Sequence, residues 1–193
     1  MKKLIFISLL FSILSLSVSA QKPTKAEKAA QLEQEFQQTR QLIESNHFQF
    51  ELNRVHPQDG QDLSRFNPRG KFVITDSVAK GTLPFFGRAY SLPYGEGGGI
   101  EFDGVMKDQS LKIEHKKKRK ILIYRFSITA KNDTYQISME ISGGGNCSVN
   151  LNSNNRAQIS YSGSVRLKTK QESRKNRSPD SATRYRNYRT TEK

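Results

Sequence analysis

The chain has 193 residues, with 32 Lys and Arg against 18 Asp and Glu for a formal charge of +14, and a single cysteine. That is one domain's worth of sequence, and one thiol excludes a disulfide-built scaffold. Nine of the Lys and Arg, against three Asp and Glu, fall within residues 168–193, so the rest of the chain is only mildly basic.

Met1-Lys2-Lys3, the apolar run Leu4–Val18 and the small residues Val18-Ser19-Ala20 have the form of a secretory signal over residues 1–20, cleaved near Ala20. The run is shorter than the roughly 20 residues of a spanning helix, and the leader carries no cysteine for lipid attachment. The expected product is soluble and periplasmic or secreted, and it is not a lipoprotein. Residues 21–46 form the next unit. Thr24 to Ser45 reads as an amphipathic helix with Ala29, Leu32, Phe36 and Ile43 along one stripe. Thr24 and Glu27 supply a capping-box pattern, and Asn46 a C-terminal stop. A lid over one end of a sheet structure is the economical use of so narrow a stripe.

Over 47–167 the pattern changes to period two: Phe48, Phe50 and Leu52; Phe72 and Ile74; Ile100 and Phe102; Leu111 and Ile113. The alternation is clearest later, in Leu122–Ile128, Tyr135–Ile141, Cys147–Leu151 and Ile159–Val165. Turn residues at Asp76-Ser77, Lys131-Asn132-Asp133, Gly143-Gly144-Gly145 and Ser153-Asn154-Asn155 join these runs. Eight or nine short antiparallel strands over ~120 residues predict a small closed barrel or a strongly curved meander. The basic run His115–Lys120 reads as a hairpin tip whose lysines discourage edge pairing. Residues 168–193 lack any aliphatic larger than Ala and are expected to be disordered. Tyr185 and Tyr188 among the arginines would suit nucleic acid, but export argues for an anionic envelope surface or for simple solvation.

The densest feature is Leu83–Gly104, with five aromatics and six glycines between two strand-like segments. Together with a second block, Ser153–Gly163, it resembles the exported Bacteroidota family known as domain of unknown function 4251. The resemblance spans about Glu44 to Val165. It implies a small, lipocalin-like β-barrel and an envelope address, and it names no reaction. Members tend to stop near the last strand, so the basic tail departs from the pattern.

Catalytic patterns are thin. Cys147 alternates with apolar neighbours, as a buried thiol does, and His47, His56 and His115 are scattered. Gly95–Gly99 lacks the Lys-Ser/Thr ending and the following helix of a phosphate loop. Ser162 lacks the flanking glycines of a nucleophile elbow. Glu101 and Asp103 share one strand face and are the one carboxylate pair for acid and base work, with Arg88 as their expected partner. No metal or cofactor is expected. The expectation is therefore a non-catalytic binding module. Phe85, Phe86, Tyr90 and Tyr94 would give apolar and stacking contacts, and Arg88, Glu101, Asp103 and Arg156 polar ones, to a small apolar or amphipathic ligand. The alternative is an envelope protein partner docking on the same loop. A hydrolase centred on Glu101 and Asp103 is the reading from another class.

Overall fold

The computed structural model describes residues 24–58, 60, 63, 66–91, 98–116, 119–130 and 133–168. The signal expected at 1–20, the tail beyond Lys168 and the candidate Tyr94 lie outside the described residues. One helix, α1 (Lys25–Glu44), precedes eight strands: β1 (His47–Pro57), β2 (Lys71–Thr75), β3 (Val78–Leu83), β4 (Ile100–Lys116), β5 (Arg119–Thr129), β6 (Thr134–Ser142), β7 (Asn146–Ser153) and β8 (Ile159–Leu167). Each pairs antiparallel with its neighbour, and β8 returns to β1, closing the barrel.

Helix α1 begins as its sequence dictates. The Thr24 hydroxyl accepts from the Glu27 backbone N–H, and the Glu27 carboxylate accepts from the Thr24 N–H at 2.7 Å. It ends at Ser45, after which Asn46 takes the left-handed conformation (φ 51) that turns the chain into β1. The stripe is used only in its second half. Phe36, Thr39 and Ile43 are buried, while Leu32 stays 59% exposed. Burial of Phe36 and Ile43 contributes about 1.5–3 kcal/mol each and holds the helix across one end of the barrel. The tight turn Gly143–Gly145, between β6 and β7, makes room for it, since a Cβ on Gly143 would already touch the Phe36 backbone nitrogen at 3.4 Å. Lys120 at the start of β5 reaches Glu33 at 2.9 Å.

An eight-stranded barrel has an interior that side chains can fill or that can hold one small ligand. Here the inward positions carry rings. Phe50 stacks on Phe72 with centroids 5.0 Å apart, Phe72 meets Phe102 at 5.8 Å, and Phe102 meets Tyr135 at 6.1 Å. Phe48, Tyr124, Phe126 and Tyr161 fill the same space, and all are buried. Cys147 points into this core, where burial pushes its thiol up.

Two register shifts explain where alternation fades in the sequence. In β4 the inward set is Ile100, Phe102 and Met106, but a bulge between Lys107 and Ser110, with Asp108 at φ 53, moves later residues to the opposite parity. A second bulge, between Leu52 and Arg54 of β1, has the same effect and brings Val55 inward.

No helix among the described residues is long and apolar enough to cross a membrane.

Candidate functional site

Because β1 starts at the helix-covered end, the β1–β2, β3–β4, β5–β6 and β7–β8 connections gather at the opposite end. The aromatic and glycine-rich run belongs to the β3–β4 connection and is tied down there at several points. Tyr161 in β8 is buried, yet its hydroxyl reaches the end of β3 and donates to the Pro84 carbonyl at 2.9 Å. Burial, opposed by the nearby Arg156 charge, keeps that phenol well above the usual tyrosine range. Further along, Ala89 and Arg156 form an isolated antiparallel bridge. The Tyr90 N–H donates to the Asn155 carbonyl at 2.8 Å, and the Ala157 N–H to the Arg88 carbonyl at 2.9 Å. The first block of the aromatic run and the Asn154-Asn155-Arg156 turn are thus two halves of one loop pair.

Arg156 sits at its centre. The side chain is 5% exposed, its guanidinium carbon stands 5.3 Å from the Phe85 ring centroid, and Nη1 donates to the Gly98 carbonyl at 3.3 Å. Its Nε is buried without a hydrogen-bond partner. Among the described residues no carboxylate forms an ion pair with it.

The other candidates divide by position. Phe85 packs partly against the core, whereas Phe86 is 36% and Tyr90 65% exposed. Arg88 is exposed. Glu101 and Asp103 point outward from the convex face of β4, with Ile100 and Phe102 inward between them. Asp103 takes Lys80, directly opposite it across the β3–β4 ladder, at 2.6 Å. That replaces the expected Arg88 pairing, because strand register sets the neighbour and Arg88 lies beyond the end of β3. The hydrogen bond to Asp103, and then its charge, raises the Lys80 pKa.

Two features were missed in the sequence. Phe66, in the β1–β2 connection, is 69% exposed at the same end as Tyr90 and Phe86. The two connections meet where Gly70 lies against Pro84, so close that a Cβ on Gly70 would fall 2.8 Å from the proline Cδ. An aromatic beside Asn67-Pro68-Arg69-Gly70 was the available signal. The second is His56, whose Nε2 lies 2.8 Å from the Ser162 hydroxyl on the outer face. A nucleophile also needs an oriented base and free N–H donors for an oxyanion. Ser162 is in mid-strand, laddered to Arg54 on one side and Ser148 on the other. Among the described residues no group of three or more His, Cys, Asp or Glu is placed to hold a metal ion.

The family model for the domain of unknown function DUF4251 matches residues 30–165. Among solved structures, a DUF4251 family protein from Bacteroides eggerthii DSM 20697, a crystal structure at 1.95 Å resolution, is similar with a TM-score of 0.50 and 23% identity. The match covers 72% of this chain and 91% of that one, and at this identity it speaks for the fold. No curated protein matches the chain.

Proposed function

The chain belongs to the DUF4251 family, and from that premise we propose that it is a non-catalytic binding module that docks an envelope protein on the loop end of its barrel. The observation that carries this reading is the distribution of aromatic side chains. Those of the barrel strands are packed against one another inside, while Phe66, Phe86 and Tyr90 are held exposed on adjoining loops at one end. Large exposed aromatics on a clamped loop are the usual anchors of a protein interface. A barrel interior already occupied by Phe50, Phe72, Phe102 and Tyr135 supports a surface role over the carriage of a small apolar ligand in the core. The signal-like residues 1–20 support export, with the periplasm as the place of action.

Native mass spectrometry of the protein purified gently from its own envelope tests the reading. The expected spectrum shows the chain free of any stoichiometric small molecule, with higher-mass complexes that disappear in the Phe66→Ser/Tyr90→Ser double variant. A discrete small molecule retained at near-full occupancy would overturn it.

A further inference from the structure

We propose that Arg156 is the receptor for a carboxylate that the docking partner inserts at the loop end. The inference deepens the reading above and rests on that end being the contact surface.

A guanidinium removed from water is costly unless its charge and its donors are matched. Arg156 is buried to 95% by its 5% exposure, yet among the described residues it has no carboxylate, and its Nε has no acceptor. What holds it is the Phe85 ring on one side and one long hydrogen bond, 3.3 Å, to the Gly98 carbonyl on another. Neither neutralises the charge. A ring face attracts a cation and uses none of its in-plane donors, the edge by which arginine receives a planar anion.

The group would enter between the two clamped loops, on the side of Gly98, whose carbonyl Nη1 holds weakly and where a Cβ would meet nothing within 4 Å. Charge selects the anion. One buried positive charge is balanced by one negative charge, which favours a carboxylate over a dianion such as sulfate. The exposed Arg88, whose carbonyl is bonded to Ala157, lies on the same clamped loop and would draw an acidic group toward this end.

The test reads the Arg156 Nε–Hε resonance by 15N–1H correlation NMR of the uniformly labelled protein at about pH 6, where simple carboxylic acids are ionised. The peak is assigned by through-bond experiments on the native chain and confirmed by its loss in Arg156→Lys. Titration with acetate is expected to move it downfield saturably, with sulfate, a dianion at this pH, giving a smaller shift at equal ionic strength. N-acetylglycine, which has a free terminal carboxylate, and N-acetylglutamic acid α-amide, which has only a side-chain one, identify the source. The tighter of the two shows whether the partner offers a chain end or an acidic side chain. An unmoved resonance in all titrations, or a sulfate response exceeding that of every carboxylate, would overturn the proposal. These titrations need no partner, so their failure is distinct from failure of the docking reading, which depends on Phe66 and Tyr90.

Discussion

Gly163 in β8 lies directly against the ring of Phe50 in β1: a Cβ at this position would fall 2.6 Å from Phe50 Cε2 and 2.1 Å from the Glu51 carbonyl oxygen. The glycine of the Tyr161-Ser162-Gly163 sequence is thus a closure device. It allows the last strand to approach the first with a phenylalanine between them, which an ordinary side chain would hold apart.

Gly163→Ala is therefore expected to destabilise the barrel by about 3 kcal/mol, the upper end of the usual overpacking range, because one of the atoms met is backbone. Urea unfolding followed by circular dichroism measures it. A loss of under about 1 kcal/mol would mean that β1 and β8 separate without difficulty.

The helix is part of the fold and not an appendage. Ile43 is 1% exposed within the common core, so Ile43→Ala should cost about 2–4 kcal/mol, and hydrogen exchange should quicken over both Lys25–Glu44 and the Gly143–Gly145 turn. Faster exchange in the helix alone, with unchanged global stability, would show that α1 is only resting on the barrel.

Tyr161 anchors the aromatic loop through one hydroxyl. Tyr161→Phe removes the donor to the Pro84 carbonyl and is expected to cost about 1–2 kcal/mol. Proteolysis between Leu83 and Ile100 should become faster. Unchanged stability and unchanged cleavage would place the loop's anchorage in its backbone bonds to Asn155 and Ala157.

The Glu33 and Lys120 pair gives a pH signature. Hydrogen bonds from Gln37 and then Lys120 hold the Glu33 carboxyl below its ordinary value. A depressed folded pKa contributes stability that is present above the unfolded pKa and is lost as pH falls through the folded one. Both groups are exposed, so the effect is small. The melting temperatures of the native chain and Glu33→Gln should differ at about pH 7 and converge by about pH 3. A gap that widens on acidification would contradict the assignment.

How much of this could be read from the residues depended on burial on one face. In β5 to β8 the alternation of Leu122, Tyr124, Phe126 and Ile128, and of Tyr135, Ile137, Met139 and Ile141, matches the core set, while Ile121 and Ile123 are buried outside that set on the opposite parity of β5. Strand β3 gave no signal, because its inward positions include only Ala79, the small Gly81 and Leu83. The 17 residues of β4 looked like two short strands, since the bulge at Asp108 reverses parity between Met106 and Leu111. The helix limits were legible from Thr24, Glu27 and Asn46 because caps are local. The site was less so. Asp103 finds Lys80 through strand register, and Arg156 finds Phe85 through the packing of two loops far apart in sequence. No local pattern encodes either meeting.

The docking role is tested most directly by site-specific photo-crosslinking in the living cell, with a benzophenone side chain at position 66, at position 90, or at Ser138 on the outer wall of β6. One discrete adduct, of the same mass, is expected from positions 66 and 90 and none from 138. Adducts of equal yield from all three positions, or none from 66 and 90, would contradict the assignment of the loop end as the binding surface.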